Sequence, residues 1–122
     1  MAISYKVDSA AGVVLEHWIG EITANELSAH WRLLTSDLAA MECKGSLADI
    51  SECVIRFSSE QLFSLIRSVV IPAIPTRKWK AAVLVTKPVQ HGVAMQYGAW
   101  TDDVHEMTIF TDRALALDWL MS

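Results

Sequence analysis

The run Ala81-Ala82-Val83-Leu84-Val85 places five apolar residues in succession, with no polar neighbour between them. A strand with one wet face alternates apolar and polar side chains. One that does not alternate is covered on both faces. Leu47-Ala48-Asp49-Ile50, short and mostly apolar, suits a second such central strand. Two covered strands call for helices between them, and the chain supplies helix signals at the right places.

Thr23-Ala24-Asn25-Glu26 is a capping box, with Ile22 and Leu27 at the hydrophobic-staple positions around it. Leu27, Trp31, Leu34 and Leu38 follow at helical spacing, and this helix should fade near 41–45. Ser58 with Gln61 repeats the box, Phe57 and Leu62 repeat the staple, and Leu62, Ile66 and Val69 mark a buried stripe. Phe63, Leu65 and Val70 widen that apolar arc beyond what one sheet contact requires. Pro88 suits the first turn of a third helix carrying Val89, Val93, Tyr97 and Trp100. Thr111 or Asp112 caps a last helix whose Leu115, Ala116, Trp119 and Leu120 face inward.

At the N-terminus Ile3, Tyr5 and Val7 alternate, a turn follows at 8–12, and Val13, Leu15, His17 and Ile19 alternate up to Gly20. The spacing predicts an antiparallel pair. With Met107–Phe110 as the last strand, the order is β-β-α-β-α-β-α-β-α. We expect a single α/β domain over 1–122: a mixed five-stranded sheet, its later strands parallel, with about four helices.

Composition narrows the function. Of 122 residues 52% are hydrophobic, counting Tyr but not Gly, which fills a core and excludes disorder. Fourteen acids against ten Lys and Arg leave a net charge of −4, so no nucleic-acid partner is expected. The first residues lack a signal-peptide pattern, and Val69–Pro75 is too short and proline-broken to span a membrane, which points to a cytoplasmic protein. Cys43 and Cys53 form no ligand motif and read as reduced thiols.

The strand–loop–helix stretch Leu47-Ala48-Asp49-Ile50-Ser51, Val54 and Phe57-Ser58-Ser59-Glu60-Gln61-Leu62 resembles the core of the STAS-domain superfamily, in particular its SpoIIAA-like branch. The similarity continues through Ala81–Val85, the stretch His91–Tyr97 and the closing Phe110–Leu120. In the anti-sigma-factor antagonists of that superfamily a serine of D-S-S-G-L is phosphorylated by a partner kinase, and its register falls on Ser59. Phe57 stands where the family has aspartate and Glu60 where it has glycine. Phosphate on Ser59 would set like charge beside Glu60, partly offset by the helix N-terminus. The capping box by itself explains Ser58 and Ser59. The branch also resembles the lipid-binding CRAL-TRIO fold, which implies a cleft for a nonpolar ligand and contact with membranes.

Two stretches can be weighed against that implication. The broad helix with Leu62, Phe63, Ile66 and Val70 faces a third helix with Val93, Met95, Tyr97 and Trp100, whose Gly92 and Gly98 lower its stability. Together they would wall an apolar cleft, although the same residues also serve as plain core. The segment Ile74, Arg77, Lys78, Trp79 and Lys80 sets three bases around a tryptophan after an apolar stretch. That suits an anionic lipid surface at the inner membrane face, or else an ordinary basic strand edge.

Thr101-Asp102-Asp103-Val104-His105-Glu106 reads as a solvated turn, and His17, His30 and His91 lack metal-ligand spacing, so no metal is expected. No catalytic motif occurs either, so neither an enzyme nor a cofactor is expected. The expected function is a non-catalytic binding module for a nonpolar, lipid-like small molecule such as an acyl chain, with peripheral membrane association. The alternative is a partner-switching regulator phosphorylated at Ser59 that docks a protein partner. A homodimer formed by surplus apolar surface is a third reading.

Overall fold

The computed structural model describes residues 2–73 and 79–122. Strands β1 (Ile3–Asp8) and β2 (Val13–Thr23) form an antiparallel hairpin. Its turn needs Gly12, where φ is 71° and a side chain would be strained. From β2 onward all pairing is parallel: β3 (Gly45–Arg56), β4 (Trp79–Leu84) and β5 (His105–Phe110) follow in sheet order β1-β2-β3-β4-β5. The expected mixed five-stranded sheet is present.

Helices cover both faces, as the unalternating strands require. Helix α1 (Ala24–Thr35), helix α3 (Ser59–Leu65) and helix α5 (Pro88–Trp100) bring Leu27, Trp31, Leu62 and Ala94 onto Trp18, Ile50 and Val83. On the opposite face α6 (Arg113–Met121) packs Ala116 and Leu120 against Val13, Leu47, Ala82 and Leu84. Both capping boxes form: Thr23 accepts from the Glu26 N–H and Ser58 from the Gln61 N–H. Asp37, after α1, caps the short α2 (Leu38–Met41) and accepts from the Ala40 N–H.

Several boundaries depart from the sequence reading. Strand β2 runs through Gly20, which takes φ 74° inside the strand, and ends at Thr23. Strand β3 is twelve residues long instead of four, because its second half pairs with the extended β2. The main inward face of β2 is Val14, Glu16 and Trp18; Val13 and Leu15 face α6, while Ile19 is exposed. After α3 the chain stays helical through a π turn (Ile66–Val70) into α4 (Ile71–Ala73), so the helix runs on into the proline-broken stretch.

Between His17 and Ile19 on β2 stand Asp49 to Glu52 on β3, so β3 carries one extra residue, a bulge. Buried Gln90 pins α5 over it, with its amide nitrogen donating to the carbonyls of Ser51 (3.1 Å) and Cys53 (3.0 Å). Its carbonyl oxygen accepts from the N–H groups of Thr86 and Lys87.

Candidate ligand cavity

Glu16 projects from the middle of β2 onto the face covered by α1, α3 and α5, and is buried. Its burial is matched by hydrogen bonds: Oε1 accepts from Trp18 Nε1 at 3.1 Å and lies 2.7 Å from His30 Nε2. Trp18 lies two residues along the same strand, hence on the same face. His30 occupies the buried stripe of α1 and is 2% exposed. The rings of Tyr5 and Trp18 meet it edge-on at 5.8 Å and 6.2 Å. The Tyr5 hydroxyl donates to Asp37 Oδ2 at 2.7 Å, and burial, then that carboxylate, raises its pKa to about 12. The same bond lowers the pKa of Asp37.

A second polar pair closes the other side. Tyr97 on α5 stacks at a tilt on Trp31 at 5.7 Å, and its hydroxyl lies 3.2 Å from His105 Nδ1 at the start of β5. Burial, then the charge of Glu16, pushes the Tyr97 hydroxyl far above its ordinary range. Burial lowers His105 to about 4, against a smaller upward pull from Glu16, so the ring is neutral at pH 7. Its Nε2 has no hydrogen-bond partner among the described residues.

Between these groups lies a cavity of about 60 Å³, lined by Glu16, Trp18, Trp31, Ser46, Ala48, Ile50, Phe57, Leu62, Ala81, Ala82, Val83, Val93, Ala94 and Tyr97. Most of that lining is apolar or aromatic. One water needs about 10–15 Å³, so the space is several times that minimum.

Three residues read from the sequence as ligand contacts, Leu62, Val93 and Tyr97, line this cavity. Ile66 and Val70 are buried in the same core, but are not among its lining residues. Phe63 and Trp100 meet each other edge-on at 5.1 Å, with Phe63 exposed and Arg67 over its ring. Met95 is 57% exposed and faces an open groove along β5, away from the cavity, because α5 turns it outward one residue after buried Ala94. The elongated cleft for an acyl chain is, in this structure, a compact chamber.

The basic segment changes meaning as well. Ile74, Arg77 and Lys78 lie outside the described residues. Trp79 is not a surface anchor: it is 6% exposed and packs with Val14, Leu34 and Ala81. Strand pairing turns it inward, whatever its basic neighbours suggest. Lys80 Nζ donates to the carbonyls of Trp119 (3.2 Å) and Ser122 (3.3 Å), capping the end of α6. No helix among the described residues is long and apolar enough to cross a membrane.

Ser58 is the N-cap and Ser59 the first residue of α3. Ser59 is exposed, and its hydroxyl exchanges hydrogen bonds with the side chain of Gln96 on α5, at 2.9 Å and 3.3 Å. His105, read with a solvated turn, is buried instead, and Thr101 is buried with its hydroxyl on the Tyr97 carbonyl. Cys53 is buried, which raises its thiol to about 11, and both cysteines are free.

On the opposite face the bulge turns Asp49 and Glu52 to one side, opposite His17, with donor atoms within 4.8 Å of one another. The sequence reading did not bring these three together. Their atoms are engaged: Glu52 with His17 at 2.8 Å, and Asp49 with Ser51 and, at 3.8 Å, with Arg113, whose charge opposes a cation.

No family model matches the sequence, and no curated protein does. Among solved structures, this chain is similar to an uncharacterised protein of the DUF3478 family with a SpoIIAA-like fold from Shewanella loihica PV-4. The identity is 19% over 98% of this chain and 94% of the other, with a TM-score of 0.67. The chain has a SpoIIAA-like fold, as the strand–loop–helix resemblance implied.

Proposed function

We propose that the protein is a non-catalytic binding module that holds a small nonpolar ligand in the chamber beneath α1, α3 and α5. The observation that carries this reading is the cavity of about 60 Å³ lined by Trp18, Trp31, Phe57 and Tyr97. Domain interiors contain few voids larger than one water, so a chamber several times that size, walled by aromatic rings, asks for an occupant. The π turn after α3 supports it, since π turns recur at functional sites, and Ile66, Val69 and Val70 of that turn are packed in the same core. Native mass spectrometry of freshly purified protein, paired with isopentane titration followed by NMR, tests the reading. A retained small molecule, or saturable shifts of the Trp18 and Trp31 indole signals, is expected. A bare chain with unmoved indoles would refute it.

Partner switching has an observation of its own in its favour. The exposed Ser59 hydroxyl joins α3 to α5 through Gln96, and a phosphate there would break that clasp. Incubation with candidate kinases and mass mapping of Ser59 decides it: an unmodified Ser59 with every candidate counts against this route.

A further inference from the structure

We infer that the ligand carries a hydrogen-bond-donating head, a hydroxyl or an ammonium, directed at Glu16, and that carboxylate-headed molecules are rejected. This rests on the chamber's being a ligand site and adds the chemistry of its polar end. Glu16 lines the chamber, yet both of its hydrogen bonds, from Trp18 Nε1 and His30 Nε2, fall on Oε1. Among the described residues no donor reaches Oε2. A carboxylate offers about four acceptor positions, so half of this buried group's capacity is unused.

The rest of the lining carries no positive charge that would offset Glu16 for an anion. Tyr97's hydroxyl is taken up with His105 Nδ1, and the Ser46 hydroxyl donates or accepts as required. An ammonium would gain from Glu16, and the aromatic residues Trp18, Trp31 and Tyr97 in the lining favour a cation wherever a ring face meets it. An anion would meet the Glu16 charge among mostly apolar walls, where like charges repel more strongly than in bulk water.

Four compounds of nearly one shape separate the contributions: isopentane, isobutanol, isobutylamine and isobutyrate. Titrations of the intact chain would follow the Trp18 indole N–H, which is donated to Glu16. The expected order is amine and alcohol at least tenfold tighter than isobutyrate, with isopentane between. Glu16→Gln presents an amide donor in place of Oε2, so the advantage over isobutyrate should vanish or invert. The ratio of amine to alcohol tells which head is preferred. Equal binding of all four, or a preference for isobutyrate, overturns the donor-head assignment while leaving the chamber a ligand site. Failure of all four, isopentane included, overturns the chamber itself. Should Glu16→Gln not fold, the order in the unaltered protein decides alone.

Discussion

His105 is a histidine made neutral by its surroundings. Packed between Trp79 and Tyr97, with no partner for Nε2 among the described residues, its imidazole has a pKa lowered by burial from 6.5 to about 4. Between those values the unfolded chain binds a proton that the folded chain refuses, so stability rises with pH across the window and is lost on acidification. The full difference corresponds to about 3 kcal/mol. Urea titrations from pH 7 to pH 4 should show this loss. His105→Phe should lack that part of it while staying near the parent at pH 7, where relief from desolvating a buried imidazole offsets the partner lost by Tyr97. An equally steep fall in the variant would put the acid sensitivity elsewhere. The sequence carried half of the signal for the polar cluster: His30 stands on the helical stripe of Leu27 and Leu34, whereas Glu16 alternates out of step with Val13, Leu15, His17 and Ile19 and so read as solvent-facing, although it is buried. A reading that collects only apolar stripes passes over them, and alternation alone does not say which face of β2 turns inward.

At the scale of elements, local chemistry was the readable part. Side chains that bond their own backbone within three residues, Thr23 with Glu26 and Ser58 with Gln61, announce helix starts without tertiary help. Pro88 likewise set the start of α5. Elements that depend on a distant partner were not readable: the length of β3, the bulge and the inward turn of Trp79 all come from pairing with another strand. The glycines of α5 show the same division. Gly92 is exposed with open space around it, whereas a Cβ on Gly98 would collide with Met107 Cε. Gly92→Ala should therefore stabilise by about 1 kcal/mol, the plain helix preference. Gly98→Ala should gain less, because the Met107 thioether must first swing aside. In a Met107→Ala background Gly98→Ala should recover the full gain. Denaturant midpoints of the four variants check this, and equal gains at both glycines in the parent would show that the Met107 contact costs nothing.

For the whole molecule, the chamber costs packing, and the proposed ligand site would put stability against function. A well-filled core gains dispersion contacts at every wall, and this one forgoes some of them around about 60 Å³ of space. Ala48 sits on β3 beneath the chamber, where a branched side chain suits a strand and would enter the void. Ala48→Val should stabilise the empty protein by about 0.5–2 kcal/mol, as cavity filling commonly does. The same change should weaken isopentane binding several-fold, because the valine methyls occupy the ligand's place. A chamber kept only as a packing defect would show the first effect and bind nothing before or after. If Ala48→Val destabilises, the chamber instead holds ordered water that bonds Glu16, and expelling it leaves a buried carboxylate oxygen without a partner. Paired urea and isopentane titrations of the parent and the variant therefore separate a ligand site, a void and a hydrated pocket by the signs of two changes.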